Sequence, residues 1–210
     1  MNWHGEVLAA EQRPVLRQLG PVAQALRFYL GGGTAVAIHL GHRQSLDLDW
    51  FTGQTIDDPS ALAQEIQDRG VDLSVTSTNR RTLHGVVRGV RVSLLESRYA
   101  QLSSPMVWPD FGCAIAALDD LAAMKLLAVA QRGSKKDFLD VYALARHGLS
   151  LESMLEWYRR KFSVDDIGRV LYSLCYFDDA EAAPMPMMLT PTTWEEVKQS
   201  LRQWVKSLAG

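Results

Sequence analysis

Two cysteines, Cys113 and Cys175, are all that the 210 residues contain, and they stand far apart with no metal-ligand spacing around them. That argues against a disulfide scaffold and a zinc site, and reads both thiols as reduced core residues. No stretch reaches the roughly 18 consecutive apolar residues that a membrane helix needs. The opening Met1-Asn2-Trp3-His4-Gly5-Glu6 also lacks the basic-then-apolar order of a secretory signal, so a cytoplasmic protein without membrane contact is expected. Excess positive charge is absent too: 22 Lys and Arg face 24 Asp and Glu, a net charge of -2. This argues against a surface that grips nucleic acid as a whole, because phosphate contacts supply most of that affinity. Local clusters remain at Arg80-Arg81, Arg88 with Arg91, Arg132 with Lys135-Lys136, and Arg159-Arg160-Lys161. Each could contact RNA or triphosphate, and each reads as well as a solvated helix end or turn. Repeats and low-complexity tails are missing.

What is present is a 47% hydrophobic chain, enough for one domain or two small lobes, with an unusual segment in its first quarter. Gly31-Gly32-Gly33-Thr34 is followed by Ser45-Leu46-Asp47-Leu48-Asp49. On a strand, Leu46, Leu48 and Trp50 face one way and Asp47 and Asp49 the other. Two residues along a strand span about 6.6 Å, close enough for both carboxylates to converge on metal. Hard oxygen ligands with open positions suit Mg²⁺ or Mn²⁺. The glycines permit a sharp turn and close approach to a ligand, and Thr34 opens a helix over Ala35 to Leu40 whose free N–H groups favour an anion. The order points to nucleotide chemistry, with a triphosphate between backbone donors and metal. Ser45 is a strand-edge hydroxyl, since no Ser/His/Asp arrangement is readable around it.

Elsewhere the pattern gives one or two helices between Val7 and Leu30, with Pro14 and Pro21 as punctuation. A strand from Ser45 to Phe51 precedes a helix from Pro59 to Asp68 that Gly70 can stop. Val71 to Thr76 alternates like a strand, and Thr82 to Val87 and Val90 to Glu96 flank a hairpin turn at Arg88-Gly89. After Pro105 and Pro109 the spacing turns helical, over Leu118 to Arg132, Ser134 to Arg146, Leu151 to Lys161, Val164 to Phe177 and Trp194 to Leu208. The apolar Pro184 to Leu189 stretch is expected to pack as a loop between helices. The expected architecture is α+β: a small mixed sheet flanked by helices over residues 1–104, and a helical lobe over residues 105–210.

The run YLGGGTAVAIHLGHRQSLDLDWF, from Tyr29 to Phe51, resembles the signature of the AbiEii/AbiGii toxin-like nucleotidyltransferases, a branch of the polymerase-beta-like superfamily. DLAAMK from Asp120 to Lys125, QRGSKKDFLD from Gln131 to Asp140, and YFDDAE from Tyr176 to Glu181 resemble later blocks of that family in the same order. The resemblance implies a nucleotidyltransferase core that moves a nucleoside monophosphate from an NTP to an acceptor hydroxyl and releases pyrophosphate. It further implies the toxin of a type IV toxin–antitoxin or abortive-infection system, with tRNA as acceptor and a neighbouring antitoxin as partner. Asp47 and Asp49 would hold Mg²⁺ or Mn²⁺; Gly32, Gly33 and Thr34 would cradle phosphate, with Arg43 and Ser45 beside it.

Lys125 and Arg132 share a helix face among apolar neighbours, where a lysine either counters phosphate charge or snorkels to water. Asp137 and Asp140 share a face of the next helix. Asp137 is either a capping-box residue with Ser134 or, as the resemblance implies, a group in the cleft that orients a base or positions the acceptor. One departure stands out. The third carboxylate common in polymerase-beta-like transferases falls near Ser93, which carries no charge, and Glu96 points to the opposite strand face unless a bulge re-aims it. Two carboxylates suffice, Glu96 is re-aimed, or the metal site is weak. The rival readings are a nucleotide-binding regulatory protein with little turnover and a transferase that modifies protein hydroxyls.

Overall fold

The computed structural model describes residues 3–208; Met1 and Asn2, which open the segment read for a signal, and residues 209–210 lie outside the described residues. Turn and cap chemistry sets where several elements begin. Helix α1 (Gln12–Ala25) runs through both prolines: Pro14 lies in its first turn, where no N–H partner is needed, and Pro21 stands inside the helix. The turn after Pro109 seals its later half: a Cβ on Gly20 would sit 2.3 Å from the Phe111 carbonyl. Helix α3 (Pro59–Asp68) starts at Asp58, whose carboxylate accepts the N–H of Ser60 at 2.8 Å and of Ala61 at 3.1 Å. Strands β4 (Thr82–Val87) and β5 (Val90–Glu96) join through Arg88 and Gly89, with φ of 50° and 82°, as a tight hairpin requires.

Among the described residues seven strands form one mixed sheet in the order β3-β4-β5-β2-β1-β7-β6. The others are β1 (Tyr29–Leu30), β2 (Leu48–Thr52), β3 (Leu73–Asn79), β6 (Met106–Trp108) and β7 (Cys113–Ile115). Strands β6 and β7 lie in the region read as helical. At three residues each, they are too short for alternation to reveal. Strand β2 pairs parallel with β5 and antiparallel with β1. Its Leu48 and Trp50 are fully buried, as are Leu83 on β4 and Leu94 on β5. Asp49, Phe51, Ser93 and His84 occupy the opposite, open face at half-buried positions. Leu46, expected on the apolar side, is 58% exposed. The strand begins only at Leu48, because residues 42–44 pair instead with the chain near Met187 and Leu189.

Beyond the sheet come α4 (Leu118–Gln131), α5 (Lys135–Arg146), α6 (Leu151–Phe162), α7 (Gly168–Cys175), α8 (Asp178–Glu181) and α9 (Trp194–Ser207). The Pro184–Leu189 stretch straps His42–Gln44 through its backbone, while Met187 stays exposed. Burial pushes the Cys113 thiol up to about 12, consistent with an inert core residue. Among the described residues no helix is long and apolar enough to cross a membrane.

Two lysines of the basic clusters prove internal. Lys135 is buried and donates to the Glu181 carbonyl at 3.1 Å. Lys161 is buried at 2.5 Å from Asp120, whose other oxygen accepts the N–H groups of Leu102 and Ser103. This pair fastens the segment after β5 to α4 and α6. Asp120→Ala leaves a buried ammonium and two N–H groups without their acceptor, so it should cost about 3 to 5 kcal/mol in urea unfolding. A loss below about 1 kcal/mol would make the pair dispensable.

Candidate active site

Each glycine of the triplet is filled by a side chain of the following strand or its approach. A Cβ on Gly31 would lie 2.5 Å from the Phe51 ring, and one on Gly33 2.6 Å from an Arg43 nitrogen. Gly32 has φ of 63°, and a Cβ there would meet an Asp49 carboxylate oxygen at 2.6 Å. Only glycine fits both demands. Helix α2 (Gly32–Leu40) starts three residues earlier than the expected Ala35, and no side chain caps its first N–H groups. The Asp49 carboxylate rests against that start. Thr34 is buried, and its hydroxyl donates to the backbone carbonyl of Asp47. It fixes the loop that presents the first carboxylate.

Asp47 is half-exposed and accepts from Arg91 Nε at 2.7 Å. Burial and the Asp47 charge raise the Asp49 pKa, while the Ser93 hydroxyl, Lys125 and Arg132 oppose the rise. A carboxylate disfavoured as an anion in this way gains by taking a cation. The two hard oxygen donors fit a divalent ion that completes its shell with water and phosphate. Among the described residues no group of three or more His, Cys, Asp and Glu gathers to hold a metal. Ser93 stands in direct register beside Asp49. Glu96 is not re-aimed: β5 pairs without a bulge, and the Glu96 carboxylate binds the Ile56 N–H at 3.0 Å and Arg81 at 3.3 Å.

Behind α2 lies a buried ion network. Asp137 and Asp140 are both 0% exposed. Asp140 takes a bidentate pair from Arg43 at 2.7 and 2.8 Å, Lys125 at 2.7 Å and His42 Nε2 at 2.8 Å. Asp137 takes Arg132 at 2.8 and 2.9 Å, the Ser134 hydroxyl at 2.6 Å and Lys125 at 3.2 Å. Asp137 thus does not cap the backbone of its helix, and Lys125 does not snorkel. Lys125 braces two carboxylates, and Arg43 is buried between α2 and α5. Ser45 lies beside Gly33. Arg132, with a 65% exposed side chain, is the network's outward cation. Three fixed cations against two carboxylates leave net positive charge next to Asp49.

Two cavities open on this face. One of about 340 Å³ is lined by Asp47, Asp49, Thr76, His84, Arg91 and Ser93. The other, of about 400 Å³, includes Phe51, Tyr99, Met124, Leu127, Arg132 and Phe162. His84 and the Arg91–Asp47 contact escaped the sequence reading. The alternation of Arg91 with Ser93 and the hairpin register of Ser93 with His84 were the signals that could have found them.

A family profile described as "Nucleotidyl transferase AbiEii toxin, Type IV TA system" matches residues 15–204. The chain belongs to the AbiEii nucleotidyl transferase family. It is 35% identical over 201 residues to the uncharacterized protein aq_aa25 of Aquifex aeolicus (strain VF5), covering 95% of this chain and 96% of that one. In fold it is similar to JHP933 from Helicobacter pylori, with a TM-score of 0.55 and 17% identity, over 98% of this chain and 90% of that one. The antibiotic-resistance factor ANT(2'')-Ia is similar too, with a TM-score of 0.56 and 13% identity, over 72% and 91% of the two chains. The resemblance read from the Tyr29–Phe51 run and the later blocks therefore holds, and with it the nucleotidyltransferase fold.

The network makes stability depend on pH in one direction. Burial alone would raise the Asp140 pKa, but Lys125, Arg43 and His42 hold it far below the usual carboxylate range. A depressed folded pKa stabilises the fold above the unfolded value of about 3.9, and that contribution is lost as pH falls through the folded value. Asp140→Asn strands Lys125 and Arg43 and should cost about 3 to 5 kcal/mol at neutral pH. The gap between the two proteins should narrow in acid. Urea unfolding at pH 7 and at about pH 3, below the unfolded value, reads both; an equal gap at the two values would contradict the assignment.

Proposed function

We propose that this AbiEii protein transfers a nucleoside monophosphate from an NTP to an acceptor hydroxyl and releases pyrophosphate. The observation that carries the reading is the juxtaposition of Asp47 and Asp49 with the uncapped start of α2 on the open sheet face. Mg²⁺ or Mn²⁺ held by Asp47 and Asp49 would supply charge neutralisation at the triphosphate and orient it for in-line displacement. The N–H groups of Gly32, Gly33 and Thr34 offer donors to phosphate. Arg132 adds an exposed guanidinium, and Lys125 lends its charge from behind while it holds Asp137 and Asp140 in place. Asp137 acts in this scheme as a positioning residue, fixing Arg132 at the cleft. Arg43 and Ser45 pack around Gly33 and shape the helix start.

Residues 1–104 would supply the metal and phosphate groups, and residues 105–210 the cations that complete the cleft. The family description supports a toxin of a type IV pair, with an antitoxin protein as partner. An RNA acceptor such as tRNA fits the exposed Arg91 and Arg132 beside the two cavities. Incubation with each α-labelled NTP, Mg²⁺, and either total RNA or cell extract tests the reading. Label in RNA supports it, label in protein moves the acceptor to a protein hydroxyl, and nucleotide binding without label leaves a regulatory protein.

Asp49→Asn removes a metal-binding charge and should lower transfer by several kcal/mol of transition-state stabilisation, on the order of 10³-fold. Its melting point should not fall, because the carboxylate it replaces is disfavoured by burial. Transfer retained in the variant, or transfer that is independent of divalent metal, would overturn the mechanism.

A further inference from the structure

The transfer needs a group to take the acceptor's proton, and the residue in register with Asp49 on the neighbouring strand is Ser93, which carries no charge. We propose that His84 accepts that proton, an assignment that rests on the transferase reading above. Asp49, Ser93 and His84 form one row across β2, β5 and β4: Asp49 is in register with Ser93, and Ser93 with His84. His84 Nδ1 lies 3.2 Å from Ser93 Oγ. The Ser93 hydroxyl also serves as a hydrogen-bond partner that opposes the rise in the Asp49 pKa.

An ionised carboxylate only accepts, so with Asp49 ionised the neighbouring Ser93 hydroxyl, in register with it, turns its proton towards Asp49. Ser93 Oγ then accepts from His84, which places the imidazole proton on Nδ1 and leaves Nε2 with a free lone pair. His84 is half-buried and lines the same cavity as Asp47 and Asp49. The charged groups sharing that cavity are Asp47 and Asp49 from the β2 side and Arg91 from β5, while β3 contributes the uncharged Thr76. The one acid on β5, Glu96, is occupied by Arg81 and the Ile56 N–H.

The step balances. Nε2 takes the hydroxyl proton, the acceptor oxygen forms a bond to the α-phosphorus, and the bond from that phosphorus to the bridging oxygen breaks. Pyrophosphate leaves with the electron pair, and the imidazolium returns its proton to water.

Two measurements on the full chain test the assignment. ¹⁵N chemical shifts of His84 should report the Nδ1–H tautomer in the unmodified protein, and Ser93→Ala should shift the population towards Nε2–H. An Nε2–H tautomer in the unmodified protein overturns the proposal whatever the activity. In labelled-NTP transfer at neutral pH, His84→Gln should lose about 10² to 10⁴-fold in kcat, as removal of a general base does, with NTP binding unchanged. Transfer by His84→Gln within twofold of the unmodified protein overturns His84 alone. Absence of transfer by the unmodified protein with every NTP and acceptor overturns the transferase reading, and the proposal with it.

Discussion

Asp140 is the point on which the rest of the site depends. It is fully buried on α5, and three basic side chains from two other segments converge on it: His42 and Arg43 from the loop after α2, and Lys125 from α4. A lone carboxylate there would be driven to protonate. Surrounded as it is, it stays ionised and ties α2, α4 and α5 to one another. Because Arg43 also packs against Gly33, the network sets where α2 begins, and so where its free N–H groups stand relative to Asp49. Stability and site geometry are therefore the same set of contacts, and a substitution in the network should disturb both.

The glycine triplet illustrates how tightly the two are joined. A phosphate-facing turn needs backbone that can approach a ligand, yet here Phe51, Asp49 and Arg43 occupy the places where Cβ atoms would stand. The absence of side chains at Gly31 to Gly33 thus lets the carboxylate of β2 come up against the helix start. Proximity of an anionic side chain to uncapped N–H groups explains how metal and phosphate could meet with little rearrangement of the fold.

Much of this was legible before any coordinates. Helix α3 spans the residues expected, Pro59 to Asp68, because its start is set by local chemistry at Asp58 and Pro59. The β4–β5 hairpin followed from Arg88-Gly89, and the resemblance, which implies a third carboxylate near Ser93 on a neighbouring strand, implied its placement beside β2. Short elements escaped. Strands β6 and β7 carry too few residues to show a period, and Leu46 was assigned to a strand that starts two residues later. The roles of charged residues were the least readable. Lys135 and Lys161 look like surface cations in sequence and are buried partners of the Glu181 carbonyl and of Asp120. Lys125 was read as a phosphate cation or a snorkelling residue, whereas it bridges two aspartates twelve and fifteen positions away. Such pairing is a tertiary fact, and no local spacing encodes which of several acids a lysine will meet.

The account stands on Asp47 and Asp49 holding a divalent ion together with a nucleoside triphosphate. Titration of Mn²⁺ into the protein, followed by electron paramagnetic resonance with and without a non-hydrolysable NTP, addresses that directly. Two carboxylates alone should hold Mn²⁺ weakly, and the triphosphate should tighten binding at least tenfold by adding its own oxygens to the shell. The Asp47→Asn protein should lose that coupling. Equal Mn²⁺ affinity with and without nucleotide, or coupling that survives Asp47→Asn unchanged, would contradict the assignment of the metal site.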